Sequence, residues 1–121
     1  MRKRVLAIED DADILSIIDA VLSDEGYEVI SSANSEPLDY LDEINPDVIL
    51  LDHFLGSSLG QVLCRELKED PETRHIPVIL ISAASNLAGI AADCKANAFI
   101  AKPFDIDFLI ETVRQSVTPQ I

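Results

Sequence analysis

Runs of consecutive apolar residues, each ending on a polar group, set the rhythm of this chain. Residues 4–8 run into Glu9, Asp10 and Asp11, residues 47–52 deliver apolar side chains onto Asp52, residues 77–82 end on Ser82, and residues 98–101 stop before Lys102 and Pro103. A segment apolar on both faces fits a strand buried in a parallel sheet, where helices cover each side and in/out alternation disappears. Residues 27–31 alternate instead, as a less buried strand does. The intervening segments change period. Residues 13–25 place Ile14, Ile17, Ile18, Val21 and Leu22 at helical spacing, and Gly26 supplies the stop. A short helix opens at Ser35, Glu36 and Pro37, carries Leu38, Leu41 and Ile44, and ends at Asn45-Pro46. A loop containing Gly56 and Gly60 leads to a third helix reaching about residue 69, with Val62, Leu63 and Leu67 inward, broken by Asp70-Pro71. Residues 85–96 supply the fourth helix and have the weakest pattern, because Asn86, Gly89 and several alanines interrupt it. The last helix has Asp105 as N-cap, Phe104 and Leu109 as a staple, and Ile106, Leu109, Ile110, Val113 and Val117 as its inward face.

Five strands alternating with five helices predict one α/β domain over residues 1–121, a parallel sheet with right-handed crossovers and helices on both faces. The consequence is geometric. The polar residues ending strands one, three, four and five emerge on one edge of the sheet, where open α/β sheets bind their ligands.

Charge narrows the function. With a net charge of −13, the chain would be repelled by a phosphate backbone or an anionic membrane, so neither nucleic acid nor membrane is an expected partner. The basic start Arg2-Lys3-Arg4 precedes an apolar run too short for an export signal, and no run approaches the roughly 20 residues of a membrane span. Cys64 and Cys94 lie inside helical patterns without metal-ligand spacing, which suggests reduced, packed thiols and a cytoplasmic location. His53 and His75 have no partners at ligand spacing and read as structural or solvent-facing.

The shared edge therefore carries several acids, a hydroxyl and a lysine. Three or more carboxylates within a few ångströms repel one another, which raises a pKa or demands a cation. Mg²⁺ suits oxygen ligands, binding one or two carboxylates and taking phosphate oxygens for the rest of its octahedron. Lys102 offers a compact charge and Ser82 a hydroxyl donor. Together with a lone Asp52 these groups suit phosphoryl transfer to a carboxylate.

The chain resembles the receiver domain of bacterial response regulators along essentially its whole length. The resemblance rests on Glu9-Asp10, Asp52, Ser82-Ala83 and Phe99-Ile100-Ala101-Lys102-Pro103-Phe104, in that order and spacing. It implies a flavodoxin-like (βα)5 three-layer sandwich with strand order 2-1-3-4-5. It further implies Asp52 as phosphoacceptor, and a sensor histidine kinase or histidine phosphotransfer protein as donor. Mg²⁺ is implied at Asp10, Asp52 and the backbone carbonyl of Phe54, with Glu9 acting through water. Glu9 and Asp10 are taken as the acidic pair because the family's pair directly follows the apolar strand; Asp11 is the alternative, otherwise a helix-start residue. Ser82 and Phe99 are the implied switch residues, Phe99 swinging between outward and inward positions, and a cis Lys102-Pro103 bond is implied as well. Such a protein catalyses its own phosphorylation and slow self-dephosphorylation and is otherwise no enzyme. A downstream protein is expected at the face of the fourth helix, fifth strand and fifth helix, and the chain is expected to be a monomer or weak dimer.

The sequence also departs from the family. Gly56 stands where a proline is usual, which implies a more flexible loop. The segment between Ser82 and Lys102 is slightly short, and the fourth helix lacks the common charged pattern. Phosphatases of the haloacid-dehalogenase class use a similar residue set, but with the nucleophile on the first motif strand and the paired acids late, the reverse of the order here. A phosphorylation-independent interaction module would be expected to lack Asp52 or Lys102. With the last helix running nearly to Ile121, the chain is either a stand-alone regulator or an excised receiver.

Overall fold

A computed structural model describes residues 2–55 and 58–117. The sheet has strands β1 (Arg4–Ile8), β2 (Glu28–Ser32), β3 (Val48–Asp52), β4 (Val78–Ser82) and β5 (Ala98–Ala101), all parallel in the order 2-1-3-4-5. The helices are α1 (Ala12–Asp24), α2 (Leu41–Ile44, entered through a 3₁₀ turn at Glu36–Tyr40), α3 (Gly60–Glu69), α4 (Leu87–Asp93) and α5 (Ile106–Val117). This is the flavodoxin-like arrangement the sequence implies.

Strand alternation divides the core in two. Val5, Ala7, Val48, Leu50, Ile79, Ile81 and Ile100 face Ile18 and Leu22 of α1 and Leu109 and Val113 of α5. Leu6, Ile8, Ile49, Leu51, Val78 and Leu80 face the other way, onto Leu41, Cys64, Leu67, Leu87 and Ile90. Every residue of β3 is buried, as its unbroken apolar run requires.

The helix ends follow local chemistry. Asp11 caps α1, its Oδ1 accepting from the N–H groups of Asp13 and Ile14 at 2.9 and 3.1 Å. Gly26, at φ +96°, takes the left-handed position that ends α1. The Asp105 carboxylate accepts from the Asp107 N–H at 2.8 Å and starts α5.

Several inward faces are narrower than the sequence suggests. Ile17, Val62 and Ile106 are 44–47% exposed, and the seams are carried by Ile18, Cys64 and Leu109 instead. A helix on a sheet buries a stripe rather than half its circumference, so apolar positions at the stripe's border are left outside. The fourth helix spans only seven residues where the pattern allowed 85–96. The loop after β3 holds a two-residue antiparallel ribbon, Phe54–Leu55 with Ser58–Leu59, that the pattern did not announce. Gly56 lies outside the described residues, as does the segment 118–121 expected to extend the last helix. Among the described residues, no helix is long and apolar enough to cross a membrane.

Candidate functional site: an acidic cluster at the carboxyl edge of the sheet

Because the strands are parallel and in register, their carboxyl ends deliver side chains to one place. Asp52 is opposite Ile81, and Ser82 is opposite Ala101, so the ends of β3, β4 and β5 are staggered by single residues. Glu9 continues β1, its N–H donating to Ser32 O at 3.0 Å, and the Lys102 N–H extends the ladder to Ser82 O at 2.9 Å.

Carboxylate oxygens of Glu9, Asp10 and Asp52 all lie within 4.8 Å of one another. Glu9 and Asp52 are buried, at 1% and 3% exposure, whereas Asp10 faces solvent. Asp11 is excluded from this group by its capping role, which spends its carboxylate on the start of α1. Against the three acids the site sets one ammonium. Lys102 Nζ is 2.7 Å from Glu9 Oε1 and 3.3 Å from Asp52 Oδ1. The contact to Asp52 is an aligned hydrogen bond, while the shorter contact to Glu9 is a close ion pair whose buried Oε1 meets no donor in hydrogen-bond alignment. Glu9 Oε2 accepts from the Asp11 N–H at 3.1 Å.

Electrostatics follow from this imbalance. Burial, followed by close contact with the Glu9 carboxyl and its charge, pushes the Asp52 carboxyl from 3.8 up to about 7, with Lys102 pulling the other way. Burial works to lower the Lys102 ammonium, but the Glu9 and Asp52 carboxylates prevail and hold it above its usual range.

The flanking residues are placed as follows. Ser82 is buried, and its Oγ accepts from the Ala84 N–H at 3.0 Å, which leaves the hydroxyl hydrogen free to donate. Phe99 is opposite Leu80 in the sheet and lies outward, 42% exposed. Phe54 leaves β3 in the ribbon with its ring exposed, edge-on to His53 at 4.5 Å between centroids. The Lys102-Pro103 bond is cis.

Two features extend the sequence reading, which leaves His53 structural or solvent-facing and places Gly60 in the loop before the third helix. His53 is buried, its Nδ1 has no partner, and burial lowers its pKa. Gly60 donates its N–H to His53 O at 2.6 Å, closing the loop over the end of β3. A Cβ there would meet the Asp52 carbonyl oxygen and lie 2.8 Å from the His53 Cα, both of them backbone. Gly60→Ala should therefore shift the backbone that carries Asp52 and destabilise the fold by about 1–3 kcal/mol. A urea midpoint equal to that of the wild type would show that the approach is not tight.

The chain belongs to the response regulator receiver domain family, whose model matches residues 5–114. It is similar to the response regulator PleD of Caulobacter vibrioides, 38% identical over 120 residues, which are 94% of this chain but 26% of that protein. It is also similar to the polar-differentiation response regulator DivK of Brucella anthropi, 34% identical over 118 residues, 94% of this chain and 95% of that one. Among solved structures, a CheY-like response regulator receiver domain protein from Methanospirillum hungatei superposes with a TM-score of 0.87 at 25% identity, covering 97% of this chain and 94% of its own. The fold is thus that of a receiver domain of two-component response regulators.

Proposed function

We propose that this chain is a phosphoacceptor switch in which Asp52 takes a phosphoryl group from a histidine kinase or a histidine phosphotransfer protein. The observation that carries the reading is the Asp52 carboxylate itself: buried, crowded by two further acids, and met by the ammonium of Lys102 at 3.3 Å. The attacking Asp52 must be ionised, and the acyl phosphate it becomes carries close to two negative charges where the carboxylate carried one, so the site needs positive charge from Lys102 and a cation. The donor's bond to phosphorus breaks as the Asp52 oxygen attacks. Lys102 compensates the charge on the transferred group, and the Ser82 hydroxyl hydrogen can be donated to one of its oxygens.

The donor set is all oxygen and carries three formal negative charges against one positive, and the buried Glu9 Oε1 lacks an aligned donor. These features fit a hard divalent cation. Mg²⁺, held by Asp10, Asp52 and the Phe54 backbone carbonyl with Glu9 acting through water, would supply positive charge for the transferred phosphoryl oxygens. Beyond its own phosphorylation and slow dephosphorylation, the chain catalyses no further reaction in this reading.

Output requires contacts that differ between two states. Drawing Ser82 toward the phosphoryl group pulls Ala83 and Ala84 and opens space for the outward Phe99 to turn in. The partner face is then the one built from α4, β5 and α5. With Mg²⁺ and a small acyl phosphate, the wild type should gain one phosphoryl group by intact mass and Asp52→Asn none; equal incorporation by both would refute the assignment.

A further inference from the structure

We propose that Cys64 and Cys94 form a redox-modifiable dithiol, which an oxidant of the peroxide or disulfide class joins into a disulfide tying α3 to the end of α4. This site is independent of the acidic edge and of any role for Asp52. Cys64 sits in the middle of α3 and Cys94 is the C-cap of α4, thirty residues apart in sequence, yet both are fully buried in the same core cluster. The Cys64 Sγ approaches Cys94 O at 3.5 Å, so the thiol of α3 lies against the backbone of the residue that carries the other thiol. The Cys94 Sγ itself is turned back on Ala91 O at 3.6 Å, within its own helix end. Cys64 thus already lies against the C-cap of α4, and a turn of the Cys94 side chain away from Ala91 O brings the two sulfurs together.

Native packing also explains why this pair stays reduced at rest. Burial and the neighbouring thiol push Cys64 up to about 12, and neither sulfur meets solvent. A thiol must ionise and be reached before it is oxidised, so reaction requires an opening. The weakest element next to the pair is α4. It has seven residues, its N-cap Asn86 makes no side-chain cap bond, and it contains Gly89 with open space where a Cβ would stand. Unwinding its last turn releases Cys94 first, because Cys94 ends the helix, while Cys64 remains held in the ten-residue α3.

The chemistry balances with peroxide as oxidant. The Cys94 thiol ionises, its thiolate attacks one peroxide oxygen, the O–O bond breaks, and the hydroxide that leaves takes up the proton the thiol released, giving a sulfenic acid and one water. Cys64 sulfur then attacks the Cys94 sulfur, the S–O bond breaks, and the hydroxyl leaves as a second water with the Cys64 proton. Two thiols lose two electrons in total and one peroxide is reduced to two waters. Once formed, the bond prevents the end of α4 from leaving α3, alongside the surface links from Gln61 and Arg65 of α3 to Asp93.

The test uses the reduced full chain, treated with hydrogen peroxide in native buffer, quenched with iodoacetamide in denaturant and weighed intact. Wild type should lose two hydrogens as a monomer and take up no alkyl group, with a Cys64–Cys94 linked peptide in the digest. Cys64→Ser and Cys94→Ser should show no such loss. Gly89→Ala, which strengthens α4, should slow disulfide formation about five-fold if helix opening gates it. Amide exchange over residues 87–97 should be slower in the oxidised form. Doubly alkylated wild type, a disulfide formed only between chains, an unchanged rate in Gly89→Ala, or unchanged exchange after oxidation would each overturn the proposal.

Discussion

Asp52→Asn should be more stable than the wild type in Mg²⁺-free buffer at pH 8, by about 2–4 kcal/mol, which is several degrees in Tm at this chain length. The sign follows from the Asp52 carboxyl, which moves from 3.8 to about 7 in the fold. Between those values the folded chain binds a proton that the unfolded chain has released, so stability is fully present below about pH 4 and is lost as pH rises through about 7. Above that pH the wild type carries the whole penalty of an ionised carboxylate beside Glu9 and Asp10, and the amide carries none. Mg²⁺ should raise the Tm of the wild type at pH 8, much less at pH 5.5 where Asp52 keeps its proton, and much less in Asp52→Asn at either pH. Melts at both pH values, with and without Mg²⁺, check all arms. An Asp52→Asn curve that falls with pH as steeply as the wild-type curve would mean that the penalty belongs to another group.

Lys102→Met should act in the opposite direction and by as much or more. The ammonium is the counter-charge of a Glu9 carboxylate that is 1% exposed, and removing one partner of a buried pair leaves the other uncompensated. The expected loss is about 3–5 kcal/mol at pH 8 without Mg²⁺. Glu9→Gln in the Lys102→Met background should restore much of it, because the stranded charge is then gone. Mg²⁺ should restore part as well. If Lys102→Met melts with the wild type, the pair contributes no more than an exposed one, and the charge balance drawn for this site is wrong.

The parts of the molecule legible in the sequence are those where one physical requirement dominates. An apolar run ending on one carboxylate has few places to go other than a central strand, and β3 is buried at all five positions. The parallel connection then fixes which strand ends meet, so Glu9, Asp10, Asp52, Ser82 and Lys102 come together through topology and not through local sequence. Asp11 shows the limit of that reasoning. Three adjacent acids are equivalent as letters, and only the turn into α1 separates the one that caps from the two that reach the site. Ile17, Val62 and Ile106 show another limit: an apolar residue at a stripe's border is inward by period and outward in fact, because the sheet is flatter than the helix. The burial of His53 and the closeness of Gly60 to Asp52 were hidden for a third reason. Both arise from the path of the loop after β3, which depends on a backbone bond from Gly60 to His53 and on no side-chain pattern. The Cys64–Cys94 contact joins α3 to α4, and periodicity assigned each cysteine to its own helix without placing the helices side by side.

In the proposed switch the buried Asp52, rather than the neighbouring Glu9 or Asp10, forms the bond to phosphorus. Borohydride reduces an acyl phosphate to an alcohol and leaves free carboxylates untouched, so it marks the acceptor chemically. Wild-type chain incubated with acetyl phosphate and Mg²⁺, then reduced and peptide-mapped, should carry homoserine at position 52 and unaltered Glu9 and Asp10. Reduction at Glu9 or Asp10, or none in a chain that has gained a phosphoryl group, would contradict the account.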